Sequence, residues 1–424
     1  MSPSRDPRTT GDPVTAGITS LRPLVPGVYL PSLLFEIGVG AVLPMIPVIA
    51  SSLGADLGTA AFIAALLPIG HILADVPAGA LAARFGDRAA MIGSSGAAVI
   101  GAVLAGLSGV TGSLAMLAIG VLLLGATEAV YGLARQSYLT EAVHPLRRAR
   151  AMSTLGGVHR IGLFIGPFAG AGLALVAGSS AAFWLAGATS LAAAAVVFST
   201  AEIAGERAPT GGAGRASMAQ VLRDNREVFA TLGVAILLIG AVRGARQVVL
   251  PLWTESLGYS PAATSLVFGI AGAVDMLLFY PAGKVMDRLG RLWVAIPSMI
   301  VMGLTLLALP LATTFASICV IAVVLGFGNG IGSGILMTLG ADTAPAEQRS
   351  QYLGIWRVFA DSGSATGPLI VSAGAAAGSL AAGIMAVGVL SAGTVAALAR
   401  WVPRWSVHAN RRTRREAGIE PGAP

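Results

Sequence analysis

The chain has 424 residues, of which 55% are hydrophobic and 11% charged, against about 25% charged in globular domains. That composition excludes an ordinary soluble protein. The formal net charge of +7 would suit a nucleic-acid partner, but the basic residues cluster at the ends of apolar segments, which is the pattern of a membrane protein.

In chain order, residues 1–23 are polar and Pro-rich, with no apolar signal-peptide core. They are expected to form an N-terminal tail. Stretches long enough to span a bilayer, which takes about 20 apolar residues, follow at 24–50, 59–82, 90–109, 112–136, 151–177 and 180–200. A polar linker at 201–228 carries Arg207, Arg215, Arg223 and Arg226, and its end, from Met218 to Phe229, is expected to form a short amphipathic surface helix. Six further stretches lie at 229–253, 261–285, 292–312, 315–341, 350–374 and 377–399. A basic tail at 401–424 contains Arg411, Arg412, Arg414 and Arg415, expected to meet anionic headgroups. The predicted units are therefore a tail at 1–23, a six-helix half at 24–200, the linker, a second half at 229–400 and the basic tail.

The two halves are copies. Residues 47–86 align without a gap on 251–290, and ten of the 40 positions are identical, so one membrane unit has been duplicated. Duplicated halves with a substrate path between them are a recurring plan of secondary transporters. Charge sets the expected orientation. Connections after even-numbered stretches carry Arg84 and Arg88, Arg147, Arg148 and Arg150, the linker arginines, Lys284, Arg288 and Arg291, and Arg349, whereas connections after odd-numbered stretches carry neither Lys nor Arg. Both termini are thus expected in the cytoplasm. Lys284 is the sole lysine, an arginine bias of GC-rich coding that suggests a bacterial inner membrane. The lone Cys319 rules out an internal disulfide and is read as a packing residue.

Two motifs carry a resemblance. After the eighth stretch runs Gly283-Lys-Val-Met-Asp287-Arg288-Leu-Gly290-Arg291, and after the second Gly79-Ala-Leu-Ala-Ala83-Arg84-Phe-Gly86-Asp87-Arg88. With the six-plus-six plan and the long central linker, the chain resembles the major facilitator superfamily over about 24–400. The second copy matches that family's charged-turn signature fully; the first has Ala83 where Asp is expected. The resemblance implies an all-α membrane protein of twelve transmembrane helices in two pseudo-symmetric six-helix halves. It also implies a gating role for the turns, in which Asp287 caps a facing helix or pairs with an arginine; a plainer reading is a charge cluster that only sets topology. The fifth stretch contains Gly162-Leu-Phe-Ile-Gly166-Pro167-Phe-Ala-Gly170, echoed in the eleventh by Gly363 and Gly367-Pro368. This is similar to the helix-kinking Gly-Pro signature of the drug–proton antiporter branch. That branch's helix-4 arginine is missing, since Val121 and Leu124 stand at the aligned positions. Arg135, further along, is expected to pair with a loop carboxylate instead.

Ionisable groups inside a membrane are costly and default to functional candidates. The proton-coupling candidates are Glu36 first, ahead of the helix-breaking Pro44-Met-Ile-Pro47, then Glu128, Asp275, Asp75 and His71. His71 and Asp75 share a helical face, as do Arg357 and Asp361. His71 aligns with Asp275 in the duplication, and Arg160 with Asp361. Candidate substrate contacts are Arg243, Arg246, Gln247 and Tyr131. A carboxylate that loads a proton would release an arginine and lower the cost of rearrangement. For each of these groups the plainer reading is a static ion pair that fixes helix register.

No enzyme constellation, phosphate loop or metal-ligand spacing is present, so no enzyme activity, cofactor or metal is expected. The expected function is secondary active transport, proton-coupled export of a small hydrophobic drug or metabolite by alternating access. Uptake or facilitated diffusion of an anionic metabolite is the runner-up. The expected partners are the lipid bilayer, the substrate and protons, with no nucleic acid, and the protein is expected to be a monomer.

Overall fold

The computed structural model describes residues 24–143, 148–200, 218–345 and 348–418. Expectations for the N-terminal tail, for Arg147 and for the linker at 201–217 fall outside these residues. The chain is a bundle of long helices, labelled here in chain order. In the first half these are α1 (Leu30–Val42, continued as Met45–Ser52), α2 (Leu57–Phe85), α3 (Asp87–Thr111), α4 (Leu114–Ala142), α5 (Arg148–Ala177) and α6 (Ala181–Ser199). In the second they are α7 (Val234–Ser256), α8 (Pro261–Leu289), α9 (Leu292–Ala308), α10 (Phe315–Ile331, continued as Ile335–Thr343), α11 (Arg349–Ala376) and α12 (Leu380–Trp405). Among the described residues, 11 helices are long and apolar enough to cross a membrane. The twelfth, α11, has 28 residues, enough length to cross, but carries Arg357 and Asp361 within its span.

Local chemistry sets the element ends. Asp56 caps α2 by accepting the Thr59 N–H, and Ser113 and Ser260 cap α4 and α8 in the same way. As expected, α1 breaks at Pro44, which stands as N-cap of its second piece. The tight turns after α2 and α8 run through Gly86 (φ 87°) and Gly290 (φ 109°), a region that disfavours any side chain. The helix expected after the linker forms as Met218–Asp224, with Val221 as its buried residue.

The halves repeat each other in space. In the first, α1 packs on α5 and α6, and α2 and α3 pack on α4; in the second, α7 packs on α11 and α12, and α8 and α9 on α10. The closest approaches repeat as well. A side chain at Gly166 would strike Ile37 and Ala41 of α1, and one at Gly367 would strike Ala241 and Ala245 of α7. Small residues allow this contact where lipid supplies no hydrophobic drive between helices. The two largest contacts between the halves, α2 with α11 and α5 with α8, are related by the same pseudo-symmetry, and smaller ones join α7 to α1 and α2 and α8 to α1.

The halves meet tightly at the end away from the charged turns. Ser372 of α11 donates to the Gly58 carbonyl at the start of α2 (2.7 Å), and a Cβ on Gly58 would lie 2.9 Å from the Ala376 nitrogen. Toward the charged turns, Gly79 and Gly283 face open space, and Leu81, Phe85, Leu277 and Tyr280 are exposed. The halves are therefore in close contact at one end, whereas these two glycines meet no neighbour toward the other. Cysteines placed at Gly58 and Ala376 in a Cys319→Ser background are expected to cross-link once the two helices shift apart by about 0.5 Å, since their Cβ atoms start 3.0 Å apart and a disulfide needs about 3.5–4.5 Å. Locking that end should lower transport at least about tenfold, recoverable with reductant, since a permanently sealed end blocks one half-cycle. Unchanged transport after quantitative cross-linking would refute a moving seal.

Candidate functional site

Three clusters of ionisable side chains lie within the bundle. The first is on the inner face of the N-terminal half. Glu36 of α1 is 1% exposed, and its Oε1 lies 2.6 Å from Arg135 Nη1 of α4 and 2.9 Å from His159 Nδ1 of α5. Its Oε2 accepts no hydrogen bond. Arg135 also lies over the Tyr131 ring, which stacks on Phe35 at 4.2 Å. Glu128, one turn from Tyr131 on α4, makes no hydrogen bond or ion pair among the described residues, and His71, Glu36, His159 and Arg135 are the charged or titratable groups around it.

The position of Glu36 follows from the packing of α1 on α5. Gly162 leaves no room for a side chain beside the Glu36 Cβ, and Gly166 and Gly170 continue the contact along Ile37 and Ala41. The Gly-Pro motif of α5 thus seats the acid-bearing helix. Pro167 lies within α5, which runs unbroken through it.

The second cluster is centred on Asp275 of α8. Its Oδ1 is 3.5 Å from Arg160 Nη1 of α5, across the junction between halves, and its Oδ2 is 3.6 Å from Arg246 Nη2 of α7. Asn329 of α10 donates to Asp275 (2.6 Å) and accepts from Arg243 Nε (2.9 Å), and Ser333 donates to Asp275 at 3.4 Å. Gln247, beside Arg246, makes no hydrogen bond among the described residues.

The third cluster lies across the α2–α11 junction. His71 is 3.6 Å from Asp75 and 3.9 Å from Asp361, and Arg357 is 3.4 Å from Asp361 and 4.0 Å from Asp75. The ligand atoms of His71, Asp75 and Asp361 all fall within 4.8 Å of one another, but Arg357 already supplies a cation to both carboxylates. The α2–α11 junction thus sets His71 against Asp361 and Asp75 against Arg357, whereas the α5–α8 junction sets the Arg160 guanidinium against Asp275.

The sequence profile of the Major Facilitator Superfamily matches residues 29–368 and 232–421. The chain belongs to the major facilitator superfamily. The fold agrees with solved members: the nucleoside transporter NupG superposes with a TM-score of 0.69 at 12% identity, over 88% of this chain and 97% of that one. A D-xylose–proton symporter superposes with a TM-score of 0.65 at 16% identity, over 91% and 98%. Among curated proteins, the chain is similar to the multidrug resistance protein MdtH of Klebsiella pneumoniae, 27% identical over 154 residues, and of Edwardsiella ictaluri, 29% over 156. Each match covers 36% of this chain and 38% of the relative. As a superfamily member the chain is a multi-pass membrane transporter for a small molecule, not an enzyme.

Several sequence expectations need correction. Arg135 pairs with Glu36 inside the bundle rather than with a loop carboxylate, because α4 brings it level with α1. Tyr131 is fully buried against Phe35 and presents no surface to a substrate here. Arg414 turns back to cap α8, donating to the Met286 and Arg288 carbonyls, while Arg411 and Arg412 stay exposed. His159 was not singled out in the sequence; its signal is its place one turn before Gly162, which fixes it beside Glu36.

The arginines of the charged turns serve their own halves in this state. Arg88 donates to the Val197, Phe198 and Thr200 carbonyls at the end of α6. Arg291 makes a two-pronged contact with Asp342 of α10, which also accepts from Ser406. Arg84 and Arg288 are exposed, Asp87 opens α3, and the Asp287 side chain lies outside the described residues.

Proposed function

We propose that this transporter exports a small hydrophobic drug or metabolite in exchange for protons, by alternating access between its halves. The observation that carries the reading is the Glu36 site. A carboxylate 1% exposed is joined to a single guanidinium and touches an imidazole that is 36% exposed. His159 thereby links a buried acid to the more open space outside it, and an imidazole is a natural proton carrier. Protonating Glu36 removes its charge, releases Arg135 and changes which helix packing is favoured. Similarity to MdtH and the Gly-Pro contact on α5 support the export direction.

The alternation of arginine-bearing connections supports both termini in the cytoplasm, which directs the charged-turn end of the bundle inward. Residues 24–200 and 229–400 then act as the two moving bodies, with 201–228 as their cytoplasmic tether. The protein is read as a monomer in a bacterial inner membrane.

The test uses inside-out vesicles acidified inside and loaded with a pH-sensitive dye, challenged with hydrophobic cations, neutral antibiotics and small organic anions. Compound-triggered proton efflux is expected from wild type and is expected to be absent in Glu36→Gln. Equilibration of a labelled anion with no proton movement would replace this reading with an uptake or facilitated-diffusion permease.

A further inference from the structure

Three guanidinium groups meet one carboxylate where α5, α7 and α8 come together. Asp275 is shared by Arg160 and Arg246. Arg243 reaches it only through Asn329, which takes the Arg243 Nε–H and gives its own amide N–H to Asp275. The charged groups that act on Arg243 are Asp275 and the other two arginines. Arg246 Nε is buried and donates to nothing among the described residues. Arginine keeps its charge inside proteins. A surplus of positive charge in a low-dielectric interior is costly unless an anion answers it. The N-terminal cluster has the opposite balance, with Glu36 and Glu128 around Arg135.

The surroundings are apolar on one side. Phe164 and Phe168 follow Arg160 at four-residue spacing on the same face of α5, and their rings pack edge to face at 5.2 Å. Both are partly exposed, and Phe168 lies against Gly269 of α8. A charged corner is thus continuous with an aromatic wall across the junction between the halves.

We propose that this corner binds the acid group of an amphiphilic organic anion, a carboxylate or phosphate held by Arg243 and Arg246, with the apolar body along Phe164 and Phe168. Asp275 holds the same guanidinium groups when the site is empty, so the ligand's acid group and Asp275 compete for them. This names the substrate class of the export reaction and rests on that reading. Two-pronged recognition is what arginine offers such groups.

The test measures ligand-dependent thermal stabilisation of the full chain in phosphatidylcholine nanodiscs, which carry no anionic headgroup. The probes are octanoate, octanol, octylammonium and chloride. Octanoate is expected to bind at least about tenfold more tightly than the other three, and Arg243→Ala and Arg246→Ala to lose about that factor. Asp275→Asn is expected to bind octanoate more tightly than wild type, because the competing carboxylate is gone. A merely structural Asp275 would not produce that gain. Equal stabilisation by octanol, or by chloride, overturns the proposal, as does weaker octanoate binding in Asp275→Asn, which decides the matter even if the arginine variants fail to fold. Octanoate that binds but moves no protons would overturn proton-coupled export and leave the site standing. Proton efflux driven by neutral compounds, without octanoate binding, would do the reverse.

Discussion

Arg135→Ala is expected to destabilise the protein by about 3–5 kcal/mol, the usual consequence of removing one partner from a buried ion pair. Glu36 is 1% exposed, and its remaining neighbour, His159, carries charge only when protonated. Thermal unfolding of the purified variant beside wild type reads the loss. The double variant Glu36→Gln/Arg135→Ala should recover much of the loss, since the stranded charge is then gone. A double variant no more stable than Arg135→Ala would mean that Arg135 acts through packing on Tyr131 instead.

Gly166→Val should be at least as damaging. Even a first side-chain carbon there would lie 2.5 Å from the Ile37 oxygen and 2.6 Å from the Ala41 nitrogen. Both are backbone atoms of α1, which cannot rotate aside as a side chain can. Overpacking of this kind costs about 3 kcal/mol or more, and relief by moving α1 would carry Glu36 away from His159 and Arg135. Gly172→Ala, six residues along α5 with nothing within 4 Å, is the control. It should be neutral or slightly stabilising, as Ala favours helix over Gly by about 1 kcal/mol. Comparable melting and proton flux for the two variants would remove the seating role assigned to the motif.

Much of the fold was legible because membrane spanning leaves a local mark. Each span needs a run of apolar residues, and the duplication makes each half predict the other. The partners of Glu36 were not legible. Arg135 is 99 residues away in sequence and His159 further still, and no periodicity reports which helix faces which. The pairs that were foreseen, His71 with Asp75 and Arg357 with Asp361, are one turn apart on single helices. Nor was the pairing of Arg160 with Asp275 legible. The duplication aligns each helix with its copy, whereas contacts between halves join α5 to α8 and α2 to α11. Sequence equivalents therefore sit at opposite junctions.

The unlike charges facing each other at those two junctions bear on how such a chain arose. A single six-helix unit that paired with itself would place the α2 position of each copy against the α5 position of the other. Two copies of the present second half would set Asp275 against Asp361 at both contacts, leaving Arg246 and Arg357 of that half as their counter-ions. In the intact chain each of those acids has a basic partner on the other half. The halves have become complementary rather than interchangeable, since His71 and Arg160, which answer Asp361 and Asp275 across the junctions, both belong to the first half.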